Sequence, residues 1–122
     1  MFDHIGITVS DLERSRAFYA EALEPLGIRE LMQFEHAAAF GRERPMLWLM
    51  AGEPATSAPR THVAFVASTR LDVEVFHRAA LAAGGIDNGP PGLRPHYHAN
   101  YYGAFVLDPD GNNVEAVCRR TA

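Results

Sequence analysis

Residues 2–9 alternate. Ile5, Ile7 and Val9 fall on one side of an extended chain, and His4, Gly6 and Thr8 fall on the other. This pattern predicts a strand with one apolar face and one small, polar face. Ser10 follows as a helix start, because Ser10 and Glu13 have capping-box spacing and Asp11 suits the positive helix end. Leu12, Ala17 or Phe18, Ala22 and Leu23 recur at helical spacing, and Pro25 and Gly27 end the run. Three strand-like stretches come next, at 28–34, 36–40 and 46–50, separated by short polar turns. Residues 52–59 hold two prolines among small residues and read as a linker.

The pattern then restarts. Residues 61–67 put His62, Ala64 and Val66 on one face of a strand and Val63, Phe65 and Ala67 on the other. Residues 71–83 predict a helix with Val75, Phe76, Ala79 and Ala80 as its apolar stripe, ended by Gly84 and Gly85. A short strand at 86–91 precedes two more, at 101–107 and 113–117, joined by the turn Asp108-Pro109-Asp110-Gly111. His4 and His62 are offset by 58 positions (62 − 4 = 58), as are Phe18 and Phe76, Leu23 and Leu81, and Gly27 and Gly85. A shared offset at strand, helix and helix-end positions argues for a duplicated β-α-β-β-β unit in an α+β fold. The first module covers about 1–52, the linker 53–60 and the second module about 61–122.

At 122 residues the chain is sized for one domain. A hydrophobic content of 48% with 21% charged residues fits a water-soluble globular protein. The net charge of −4 disfavours nucleic acid and anionic membrane as partners. All 11 basic residues are arginine, so no lysine can form a Schiff base. One cysteine, Cys118, excludes an intrachain disulfide and suits a reducing cytoplasm. The first four residues carry no basic leader, and no apolar run approaches a membrane span. The expected location is therefore cytoplasmic.

His4 and His62 hold equivalent places in the two modules, each opposite the apolar face and each followed two residues on by a small residue, Gly6 or Ala64. Glu115 sits between Val114 and Ala116 on the last strand, where a carboxylate is costly unless paired or metal-bound. Two histidines and one carboxylate are a common set for a divalent metal with open positions. The competing possibility is that the three simply hydrogen-bond. Residues 94–102 are the other concentration of reactive types. His96 and His98 could shuttle protons, Tyr101 or Tyr102 could donate to an oxyanion, and Arg94 could meet an anionic group. His36 and His77 are assigned no role.

The stretches Asp3-His4-Ile5-Gly6-Ile7-Thr8-Val9-Ser10-Asp11 with Phe18-Tyr19, Thr61-His62-Val63-Ala64-Phe65, and Asp108-Pro109-Asp110-Gly111-Asn112-Asn113-Val114-Glu115 together resemble the vicinal oxygen chelate superfamily. That family includes glyoxalase I, extradiol dioxygenases and the bleomycin- and fosfomycin-resistance proteins. The resemblance implies paired βαβββ modules whose mixed sheets curl around a metal cavity. It implies His4, His62 and Glu115 as ligands of one divalent ion (Zn, Ni, Mn or Fe), a small oxygen-rich substrate and a homodimer. Glyoxalase I enzymes carry a second glutamate on the last strand of the first module. Here that position falls on or beside Trp48, so there is no carboxylate, and the indole either lines the pocket as an apolar wall or packs in the core or a dimer interface. The expected function is a metal-dependent lyase or isomerase. The alternatives are an Fe(II) extradiol-type dioxygenase and a resistance-type module that sequesters a small compound.

Overall fold

The computed structural model describes residues 1–53 and 60–121. Most of the expected linker, 54–59, lies outside them. The first half comprises β1 (Ile5–Val9), α1 (Leu12–Leu23), a 3-10 turn (Glu24–Leu26), β2 (Arg29–Gln33), β3 (Ala37–Gly41) and β4 (Pro45–Ala51). The second comprises β5 (His62–Val66), α2 (Arg70–Ala82), β6 (Ile86–Leu93), β7 (Tyr102–Leu107) and β8 (Asn113–Cys118). Two four-stranded sheets result, ordered β1-β4-β3-β2 and β5-β8-β7-β6. In each, the first strand pairs parallel with the last and the remaining pairs are antiparallel. The fold is thus α+β, built of two βαβββ units.

Each helix buries its apolar stripe on its own sheet, and α1 also packs against α2. Phe18, Tyr19, Ala22 and Leu23 are buried from α1, and Val73, Phe76 and Ala80 from α2. Burial of Phe18 and Phe76 contributes about 1.5–3 kcal/mol each. Of the alternatives Ala17 and Phe18, Phe18 is the buried one, and Val73 is fully buried where the expected stripe member Val75 is only half-buried. The offset of 58 also misses at two places. Leu23 is buried while Leu81 is 37% exposed. Gly27 has φ 75°, the left-handed geometry that ends a helix, and in the second half Gly84 rather than Gly85 takes that role, with φ 100°.

Gly85 is constrained by space instead. A Cβ there would lie 2.4 Å from Val106 Cγ1 and 2.8 Å from Phe18 Cε1, so α1 of one unit and β7 of the other close on it together. Gly85→Ala is expected to destabilise the protein by about 1–3 kcal/mol through overpacking, read as a lower midpoint in urea unfolding.

The turn between β7 and β8 joins the units more firmly. Ser10 does not cap α1; Asp11 does, its carboxylate accepting from Arg14 N at 3.1 Å. Ser10 is taken by Asp110, which accepts from Ser10 N at 3.2 Å and from Ser10 Oγ at 2.5 Å. Asp108, only 3% exposed, accepts from the Asp110 and Asn112 backbone N–H groups, from Asn112 Nδ2, and from the Tyr19 hydroxyl at 2.6 Å. Burial, and then the Asp108 charge, push the Tyr19 phenol well above its usual range. The turn sequence therefore does two jobs: it reverses the chain, and it presents two carboxylates to the start and first turns of α1. Among the described residues no helix is long and apolar enough to cross a membrane.

Candidate functional site

Strand register decides which side chains meet. In the second sheet Ala64 lies opposite Glu115 on one side and Phe105 lies opposite it on the other. Their side chains share the face turned away from α2, because Phe65, Val114, Ala116, Ala104 and Val106 fill the helix side. Two residues before Ala64 on β5, His62 joins that face.

Glu115 is 1% exposed. Its Oε1 lies 2.8 Å from His62 Nε2, and its Oε2 accepts from the Tyr101 hydroxyl. Both oxygens of a charged group in an apolar strand are thus satisfied. His62 is half-exposed, so the pair sits at a surface with the carboxylate beneath and the imidazole at the rim. Burial, then the bond to Glu115, push the Tyr101 phenol up to about 12, so it stays a proton donor at neutral pH.

Adjacent tyrosines go to opposite sides. Tyr102 pairs with Cys118 on the helix side and donates to Glu74 of α2 at 2.6 Å, with the Arg70 guanidinium over its ring. It does not reach Glu115, so of the two tyrosines only Tyr101 is at the site. The intervening loop turns tightly, with Tyr97 N and His98 N donating to Arg94 O and Arg94 N donating to Tyr101 O. His96 and His98 are exposed on it. His96 lies against Tyr97 at 4.2 Å with the rings tilted, Tyr97 meets the Tyr101 ring edge-on at 5.1 Å, and His98 Nδ1 accepts from Asn100 N. Arg94 donates to the Pro90 and Gly92 carbonyls and lies over Phe105, which itself neighbours His62.

The first sheet supplies the other half. Gly6 pairs with Trp48 as Ala64 pairs with Glu115, so Trp48 occupies the symmetric counterpart of the glutamate. It stacks on Phe34 at 6.2 Å, leaving an aromatic surface on that sheet. His4 is more than half exposed, with Nδ1 2.7 Å from Asp3 Oδ1, and Asp3 is further held by Arg44. His4 and His62 both line a cleft of about 510 Å³ between the edge strands β1 and β5. Among the described residues, however, no three of His, Cys, Asp and Glu come together as a metal-holding group. Asp3, Phe105 and Arg119 were not singled out from sequence. Asp3 could have been, since it adjoins His4; Arg119 could not, because its place over the Tyr101 ring depends on the β7–β8 register. His36 forms an ion pair with Glu35, and His77 forms one with Asp87.

A duplicated βαβββ fold with an imidazole–carboxylate pair on its open face marks a definite class. The sequence matches the model of the glyoxalase/bleomycin resistance protein/dioxygenase superfamily over residues 1–116, and the chain belongs to that family. It is similar to a crystal structure of a glyoxalase/bleomycin resistance protein from Albidiferax ferrireducens. That likeness has 31% identity and a TM-score of 0.79, covering 97% of this chain and 98% of that one. The uncharacterized protein YqjT of Bacillus subtilis is 27% identical, over 93% of this chain and 95% of its own length. The fold is shared with the fosfomycin resistance protein FosX of Listeria monocytogenes, at 19% identity and a TM-score of 0.72, covering 96% of this chain and 88% of that one. That FosX structure, of an E126Q mutant, is a complex with Mn(II) and 1S,2S-dihydroxypropylphosphonic acid.

Proposed function

We propose that this protein is a divalent-metal-dependent lyase or isomerase acting on a small oxygen-rich substrate, with His62, Glu115 and His4 as metal ligands. The observation that carries this reading is the buried Glu115 carboxylate held against His62 Nε2 at 2.8 Å on an open sheet face. An imidazole and a carboxylate suit Zn, Ni, Mn or Fe. The FosX complex, with its Mn(II) and a diol of adjacent oxygens, supports a metal and a vicinal-oxygen ligand on this fold. His4 fits the same role: Asp3 on Nδ1 leaves Nε2 free to ligate, the usual second partner of a metal-binding histidine. His4 lines the same cleft as His62, and we propose a homodimer because short chains of this family commonly pair. The lone buried cysteine fits a reducing cytoplasm.

When bound, the metal would supply Lewis acidity to two neighbouring substrate oxygens. The chain's own groups divide the remaining work. His62 and Glu115 fix the binding point, and Trp48 with Phe34 offers an apolar wall. His96 and His98, exposed on the loop, exchange protons with solvent, and Arg94 beside Phe105 attracts an anionic substrate group. Tyr102 has no part, being engaged with Glu74. Because Trp48 stands where a second carboxylate would serve as base, turnover of the methylglyoxal–glutathione adduct is expected to be absent. A spectrophotometric assay for the thioester product checks this.

A metal-free binding module is the second reading, and one observation favours it: His62 and Tyr101 already satisfy both Glu115 oxygens. Elemental analysis of protein purified without added metal, paired with sedimentation, separates the two. About one divalent ion per chain in a dimer supports the enzyme; a metal-free protein that stays metal-free in excess Mn(II), Zn(II), Ni(II) and Fe(II) rules it out.

A further inference from the structure

Tyr101 is engaged through its ring, its backbone and its hydroxyl at once. Its ring has Tyr97 edge-on at 5.1 Å on one side and the Arg119 guanidinium over it at 5.0 Å. Its backbone carbonyl is fixed by Arg94 N at 2.7 Å, which closes the loop at this residue. On β7, Gly103 clears the space between ring and carboxylate: a Cβ there would lie 3.2 Å from Tyr101 Cε1 and 3.5 Å from Glu115 Oε2. Only 9% of Tyr101 is exposed, and its hydroxyl donates to Glu115 Oε2. The other oxygen, Oε1, is the one that faces His62.

The two carboxylate oxygens are therefore unequal. We propose that Tyr101 is a positioning residue that commits Glu115 Oε2 to a hydrogen bond, so that Glu115 binds a divalent ion through Oε1 alone. This deepens the metal-site reading above and rests on it. A carboxylate free at both oxygens can take two positions around a cation, whereas one tethered by a hydroxyl takes one and leaves the other for a substrate oxygen or water. The hydroxyl also fixes the plane of the carboxylate towards His62, which costs a flexible glutamate less ordering when the ion arrives. Tyr101 touches no substrate in this role and acts only through Glu115.

The test is Mn(II) binding by titration calorimetry, with the water count on bound Mn(II) taken from proton relaxation, for wild type, Tyr101→Phe and Tyr102→Phe. Phenylalanine keeps the ring and its contacts with Tyr97 and Arg119, so the fold is retained and thermal melting verifies it. Tyr101→Phe is expected to weaken Mn(II) binding about 10–100-fold and to remove one bound water, as Glu115 becomes bidentate. Tyr102→Phe is expected to match wild type on both readouts. Wild-type affinity and an unchanged water count in Tyr101→Phe overturn the positioning role while leaving the metal site standing. Failure of the wild type itself to bind Mn(II) overturns the site and this inference with it.

Discussion

Glu115→Gln is expected to weaken Mn(II) binding by about 100-fold or more, with little change in the folded structure. Glutamine has the shape of glutamate and can still face both His62 and Tyr101, so the contacts at 2.8 Å from His62 and at Oε2 are not lost by truncation. What changes is charge. A neutral amide oxygen is a far poorer ligand for a divalent ion than a carboxylate. The position also has no substitute, since the next carboxylates along the chain, Asp108 and Asp110, are bound to Tyr19 and Ser10. Calorimetric titration with Mn(II) and a circular dichroism melt of the same preparations separate ligand loss from unfolding. Equal affinity in Glu115→Gln and wild type would remove Glu115 from the site.

Asp108→Ala carries the largest expected loss of stability, about 3 kcal/mol or more. The substitution strands four donors: the Tyr19 hydroxyl, the Asp110 and Asn112 backbone N–H groups and Asn112 Nδ2. Of these, the Tyr19 side chain is 1% exposed and Asn112 is buried, so water cannot replace the lost acceptor without opening the core. For a chain of this length the thermal midpoint should fall by about 10–15 °C. Tyr19→Phe removes one donor along with its need for an acceptor, and is expected to cost about 1.5–3 kcal/mol. A midpoint unchanged in Asp108→Ala would mean that the turn does not hold the two units together.

These predictions mark where sequence patterning is informative. Period-two alternation around His4 and His62, and the common offset, pointed to the duplicated unit and to the open strand faces. Local pattern reached that far because strand and helix faces repeat at short intervals. It could not separate Tyr101 from Tyr102, since neighbouring residues differ only in which face they take, and that depends on the pairing of Tyr102 with Cys118. It assigned Ser10 to its own helix because capping is a local motif, while the actual partner, Asp110, lies 100 positions away. Tyr19 likewise was missing from the expected helix stripe, although it is buried in the core, because a hydroxyl is buried only where an acceptor waits, and Asp108 is 89 positions away. The balance of Trp48 against Glu115 was legible approximately, and the pairing with Gly6 and Ala64 made it a register match.

The Asp110–Ser10 clasp has a consequence for how the protein is made. A ribosome adds about 5–20 residues per second, so about 5–20 s pass between synthesis of Ser10 and of its partner. Through that interval the nascent first half lacks the clasp on its helix and the Asp108 acceptor for Tyr19. The emerging chain therefore carries its greatest exposure to chaperones and proteases in its N-terminal half, until the final hairpin leaves the exit tunnel.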